Sequence, residues 1–141
     1  MSDSVTRNIN STVQKTYEWL SDLEEELQTN DRQIAYHAFR AVFHALRDRL
    51  PVVEVADLAA ELPTLLRGVY YEGWMPANKP DKLNLEEFLE RIEKNYGAPV
   101  PADPVRLLEA VLIVLEMHIA PGQMGHIYGA LPREIQNMWP I

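Results

Sequence analysis

The sequence contains no cysteine. This absence excludes disulfide bonds, thiolate nucleophiles, iron–sulfur clusters and cysteine-based zinc sites. Serine is also scarce: all four serines lie within the first 21 residues, and none stands in the Gly-x-Ser-x-Gly turn of a serine hydrolase. The six glycines are scattered and form neither GxGxxG nor another phosphate-binding loop. The usual signatures of nucleophilic and nucleotide-dependent enzymes are therefore missing.

Long apolar runs and excess positive charge are missing as well. The longest unbroken apolar run, Ala110 to Leu115, is far shorter than the roughly 20 residues of a membrane helix. The polar start, MSDSVTRNINS, lacks the apolar segment of a signal peptide. The net charge is −8, from 13 basic and 21 acidic residues, which is the wrong sign for neutralising phosphates. We therefore expect a cytoplasmic protein that binds neither membranes nor nucleic acid.

What the sequence does contain is apolar residues spaced three and four apart, separated by prolines and capping residues. After a flexible N-terminus at residues 1–10, a first helix is predicted to reach Gln28, and a second runs from its cap at Asp31 to about Leu50. Six more helices are predicted: Pro51 to Ala60, Pro63 to Tyr71, Asn84 to about Gly97, Pro104 to Ile119, and two short ones opened by Pro121 and Pro132. No strand is required, so the predicted fold class is all-α.

The sixth predicted helix is apolar on nearly every side, because it contains the run AVLIVL. An amphipathic surface helix keeps a polar face, whereas a helix that is apolar all round is buried. This helix is therefore predicted to be central in the chain or covered by a second subunit.

The chain also carries an internal repeat. Shifting the sequence by 69 positions superposes Leu62-Pro63 on Leu131-Pro132 and, without a gap, pairs apolar positions over four successive helices. The predicted organisation is a first repeat at 11–74, a linker at 75–83 and a second repeat at 84–141. We expect two tandem four-helix units, related by pseudo-twofold symmetry and packed as one helical bundle.

The most distinctive stretch is LPTLLRGVYYEGW, which ends in an aromatic and acidic tail that the second repeat lacks. Its candidate interaction or ligand residues are Arg67, Tyr70, Tyr71, Glu72 and Trp74. In a structural interpretation the aromatic rings close the core, the arginine bonds a carboxylate or a carbonyl, and a glycine ends the helix. In a functional interpretation the aromatic end forms a groove or a partner surface, since tryptophan, tyrosine and arginine anchor many interfaces.

Two other groups of residues have side chains that could bind a metal ion or an anion. His37 and His44 lie two helical turns apart, about 10 Å along the axis, which is too far for one metal ion without a third element between them. No HExxH spacing exists, and no metal, cofactor or catalytic residue is predicted. The charged group at Arg40 and Arg47–Arg49 could bind an anion or an acidic partner, but is predicted to be a solvated helix face with local ion pairs.

The segment AFRAVFHALRDRLPVVEVADLAAELPTLLRGVYYEGW, followed by a second half with its own Leu131-Pro132, resembles the DUF2267 family of uncharacterised bacterial proteins. The most specific parts of the resemblance are Arg47 to Leu50 and Leu62 to Trp74. It implies a small helical protein and supplies no catalytic residues.

Two functions follow as hypotheses. The first is a non-enzymatic protein-interaction or regulatory module, which contacts a partner protein or forms a homodimer through the sixth helix or the aromatic end. The second is a small-ligand-binding protein or enzyme with a pocket between the two repeats. The sequence favours the first, because no residue pattern indicates catalysis and the apolar surface exceeds what one amphipathic core needs.

Overall fold

The computed structural model describes residues 3–98 and 101–140. Within these residues the chain forms helices and no strands, which confirms the predicted all-α class. The helices are α1 (Asp3–Glu26), α2 (Arg32–Arg49), α3 (Val52–Ala60), α4 (Thr64–Tyr71), α5 (Leu85–Asn95), α6 (Pro104–His118), α7 (Pro121–Gly129) and α8 (Arg133–Gln136). None of the helices in the described ranges is long and apolar enough to cross a membrane.

The predicted capping residues start the helices. The Asp31 side chain accepts a hydrogen bond from the Gln33 N–H at the start of α2, and Asp103 does the same for Val105 at the start of α6. Asn84 and Glu87 form a reciprocal capping box, although asparagine replaces the more common serine or threonine. Each pair satisfies backbone donors that have no partner in the first helical turn.

The first helix starts earlier than predicted, at Asp3 rather than at about residue 11. Val5 and Ile9 continue the spacing of four, and neither glycine nor proline interrupts the segment. Residues 3–11 are all exposed, so this part of α1 extends beyond the core. Flexibility of the N-terminus stays a prediction, and residues 1 and 2 lie outside the described residues.

The core is built around α2 and α6. Seven residues of α6, between Leu107 and Leu115, are buried, and α6 packs against α1, α2, α5 and α7. α2 is buried almost continuously from Ala38 to Arg47, and its alanines let neighbouring helices approach closely. The apolar surface of α6 is thus covered inside the chain. Of the two predicted alternatives, α6 is central in the chain and needs no second subunit to cover it.

Helix boundaries repeat at the predicted spacing. Glu26 and Asn95, the last residues of α1 and α5, are 69 positions apart, as are Arg49 and His118, the last residues of α2 and α6. α3 and α7 correspond at both ends. The packing crosses between halves, since α1 packs on α6, α5 on α2, and α3 on α7. Exchanging the two halves would turn the α1–α6 pair into the α5–α2 pair and would leave the α3–α7 pair unchanged. The pseudo-twofold symmetry itself stays a prediction.

Candidate functional site

Arg67 closes the end of the preceding helix. Its Nε donates to the carbonyl oxygen of Ala59 at 2.8 Å, and its Nη2 donates to that of Leu62 at 3.1 Å. The last carbonyls of a helix have no partner inside the helix, and a basic side chain commonly satisfies them. The guanidinium group therefore stabilises the turn between α3 and α4.

Tyr70 is a core residue. Its ring is fully buried and packs edge-on against Phe43, with 5.8 Å between ring centroids. Its hydroxyl donates a hydrogen bond of 2.8 Å to the carbonyl oxygen of Val55 in α3. Burial raises the pKa of this hydroxyl well above the ordinary value of 10.0, so it remains a neutral donor. Tyr70 thus joins α4 to α3.

Tyr71 and Trp74 lie at the surface end of the same helix. Their rings are tilted at 42° with centroids 5.6 Å apart, and both are partly buried against the core. Gly73 ends the helix with a φ of 76°, a left-handed conformation that glycine adopts without strain. Met75 follows, with 67% of its surface exposed. Glu72 is exposed and pairs with Arg40 at 3.3 Å. These residues lie together in the sequence at the end of α4, and we call them the α4-end surface: Tyr71, Glu72, Trp74 and Met75.

Arg47 is buried, although its sequence context predicts a solvated helix face. Only 6% of its surface is exposed, so the prediction is wrong for this residue. Its Nη1 donates to the carbonyl oxygens of Tyr70 at 2.8 Å and Glu72 at 2.5 Å. Burial lowers the pKa of the guanidinium group. Arginine nevertheless stays charged in proteins at neutral pH. One signal was available in the sequence: Arg47 follows Phe43 by four positions and therefore shares its helix face.

Asp48 joins α2 to the segment between the two halves. Its carboxylate pairs with Arg91 at 3.1 Å and with Lys79 at 4.0 Å, and its backbone carbonyl accepts from the Asp81 N–H at 2.7 Å. Burial opposes ionisation of Asp81, but hydrogen bonds from Lys79 and Arg91 outweigh it and lower the pKa of the carboxyl group. Arg49 adds a bond to the carbonyl of Leu83 at 2.9 Å. The predicted linker is therefore held against α2.

His44 is also tied to α4. Its Nε2 lies 2.7 Å from the carbonyl oxygen of Val69, so the ring must donate from this nitrogen. Burial and the nearby guanidinium groups of Arg47 and Arg40 lower the pKa of His44 below 6.5, although the bond to Val69 opposes this shift. The neutral ring thus helps to hold the α4 backbone.

A polar cleft of about 710 Å³ lies between α1, the α3–α4 turn and the end of α6. Arg67 from the first half and His118 from the second half both line it, together with Lys15. His118 stacks on Trp19 with 4.4 Å between centroids, and its Nε2 lies 2.6 Å from an Asp22 oxygen. Tyr70 and Glu72 do not line the cleft. Over the described ranges, no three histidine, aspartate or glutamate side chains are grouped in a way that would hold a metal ion.

A comparison with curated proteins found no match. A family model described as an uncharacterised conserved protein, DUF2267, matches residues 16–138, nearly the whole chain. Of the helices that the structure describes, the matched region leaves out only residues 3–15 of α1. The chain therefore belongs to the DUF2267 family.

Proposed function

We propose that this protein is a cytoplasmic, non-enzymatic module that binds a partner protein through the α4-end surface. The observation that carries the proposal is the exposure of Met75, which directly follows Trp74, together with the tilted ring pair of Tyr71 and Trp74. Aromatic residues and methionine are enriched at protein interfaces, where they bury large apolar areas.

The backbone of the α4-end surface is organised by the core. Arg47 holds the carbonyls of Tyr70 and Glu72, and the Trp74 N–H donates to the carbonyl of Tyr71 at 2.9 Å. A surface that is ordered before binding loses less conformational entropy when a partner docks. This supports recognition by a preformed surface.

The expected partner segment is apolar with a basic residue. Glu72 is exposed and makes only a surface ion pair with Arg40, so its carboxylate can form an ion pair with a basic side chain of a partner. The net charge of −8 also favours the approach of a basic segment. A homodimer through this surface would bring two acidic copies together, which makes a different protein the better partner.

The test is site-specific photocrosslinking of the full chain in its native host. A benzophenone amino acid replaces Met75 in one variant and Met117, which is 54% exposed on α6, in the control. We expect a defined heteromeric adduct at position 75 that is absent at position 117 and is lost when Glu72→Lys is added. Adducts of equal yield at both positions, or none at position 75, would refute the proposal. An adduct with the mass of two copies of the chain would show that this surface binds a second copy of the protein and not a different partner.

A second candidate function is small-ligand binding or catalysis in the polar cleft. The observation that favours it is that Arg67 and His118, from different halves, line the same cleft. A ligand-observed NMR screen with the wild-type chain and His118→Ala tests this function. Binding that depends on His118 would support it, and a screen without wild-type hits would remove it.

A further inference from the structure

A second pocket, of about 330 Å³, lies where the end of α6, α7 and the residues after α8 meet. Its walls include Glu116, Ile119, Met124, Tyr128 and Trp139. The volume is at the lower end of the range for small-molecule sites, roughly 300 to 1,000 Å³. No residue of the α4-end surface takes part, so this pocket is independent of the proposed function.

The pocket combines two aromatic rings with one carboxylate. The rings of Tyr128 and Trp139 are nearly perpendicular, at 87°, with centroids 5.4 Å apart. The indole Nε1 of Trp139 donates to an oxygen of Glu116 at 2.7 Å, which fixes the carboxylate beside the ring. That oxygen and its neighbour retain further lone pairs for a ligand. No lysine, arginine or histidine is among the residues that line the pocket.

The corresponding place in the first half is filled and has the opposite charge. Arg47 lies 69 positions before Glu116, and Tyr70 lies 69 positions before Trp139. Tyr70 is fully buried there, and the Arg47 guanidinium group bonds the backbone at the end of α4. The first half thus supplies its own organic cation, whereas the second half presents an anion beside an open space.

The length of the last helix explains the open space. α8 has 4 residues, whereas α4 has 8. Tyr70 therefore lies within its helix and points into the core, while Trp139 follows the end of α8 and is only partly buried. Tyr128, which is 39% exposed, forms the other wall.

We propose that this pocket binds a small organic cation with an alkylated ammonium or guanidinium head. The faces of tryptophan and tyrosine rings attract such cations, and the Glu116 carboxylate neutralises the charge. Inorganic Ca²⁺ or Mg²⁺ requires several oxygen ligands, and the pocket offers one carboxylate. An anion would be repelled by Glu116.

The test compares ligands of equal shape and different charge. Choline and methylguanidinium are titrated into the full chain by calorimetry and by NMR, alongside 3,3-dimethyl-1-butanol, the neutral carbon isostere of choline. We expect at least one of the two cations to bind with a Kd of about 1 mM. The neutral isostere should bind at least fivefold more weakly, because it lacks both the cation–π contact and the paired charge.

Glu116→Gln keeps an acceptor for the Trp139 indole and removes only the charge, so it should lower cation affinity about fivefold and leave the isostere unaffected. Glu93→Gln, an exposed position on α5, is the matched control and should change neither. Equal affinity for choline and its neutral isostere would overturn the proposal that the pocket selects a positively charged ligand. Absence of binding by both cations to a folded wild-type chain would overturn the site.

Discussion

Replacing Arg47 with methionine tests whether one buried guanidinium group organises the end of α4. Methionine is apolar and similar in length to the aliphatic part of the arginine side chain. It therefore keeps much of the packing along α2 and removes the N–H donors of the guanidinium group. The carbonyls of Tyr70 and Glu72 lose their side-chain donor, at 2.8 and 2.5 Å in the native structure. Asp48 loses its 3.4 Å contact with the Nε of Arg47 and keeps its contacts with Arg91 and Lys79. The substitution therefore acts mainly on the backbone of α4.

The magnitude follows from the two bonds. Hydrogen bonds from a charged donor contribute about 1.5 to 3 kcal/mol each. The variant also avoids the free-energy cost of burying a charge, and this offsets part of the loss. We expect Arg47→Met to lower the free energy of unfolding by about 3 kcal/mol. For a domain of this size, that corresponds to a decrease of about 10 °C in melting temperature.

The assay is urea unfolding followed by circular dichroism, with Arg40→Met as the matched control. Arg40 makes a surface pair with Glu72, so its loss should cost at most about 0.5 kcal/mol. Hydrogen exchange should also accelerate at the Trp74 amide in the Arg47 variant, because its acceptor Tyr71 belongs to the same turn. If Arg47→Met costs no more than the control, the guanidinium group does not hold the α4 end, and the argument for a preformed surface fails.

Three further substitutions test single interactions. Tyr70→Phe keeps the ring and removes the bond to Val55, so urea unfolding should show a loss of about 1 kcal/mol, and no loss would contradict a structural role for the hydroxyl. Asn84→Ala removes the cap of α5 and should also cost about 1 kcal/mol by thermal unfolding, with a Ser variant at this position close to wild type. The folded-state pKa of His44 is lowered below 6.5, so the unfolded chain binds more protons as the pH falls through 6.5, and stability should decrease. In His44→Gln the amide can still donate to the Val69 carbonyl, but the side chain no longer binds a proton. The loss of stability between about pH 7.5 and 5.5 that comes from His44 should therefore disappear. An unchanged pH dependence would show that other groups cause the loss.

Much of the fold is predictable because it depends on short-range rules. Asp31, Asn84 and Asp103 cap their helices through partners two or three positions away, and such pairs can be read along the sequence. The start of α1 was predicted too late, because residues 3–11 are exposed and carry a weak apolar pattern. Some residues that correspond at 69 positions share their burial, as Leu46 and Leu115 do, whereas Arg47 is buried and Glu116 is exposed.

The candidate site was predictable only in part. The sequence located the aromatic end of α4 and its glycine, and left open whether Arg67 and Tyr70 face a ligand or the core. Their acceptors, the carbonyls of Ala59 and Val55, are backbone atoms of another helix, and no residue type reveals which carbonyls are free. Only the packed helices show that both side chains are engaged internally.

The sequence alone determined the helical class, the caps and the alternation of apolar positions, since these depend on neighbours within one or two turns. Tertiary structure alone decided where charge is buried. Arg47 reaches acceptors 23 and 25 positions away, and His118 meets Asp22 across 96 positions. The same holds for the open pocket at Trp139, whose walls come from the end of α6, from α7 and from the segment after α8. Contacts at such separations depend on how helices pack, and helix packing follows from the shapes of whole faces rather than from any short run of residues.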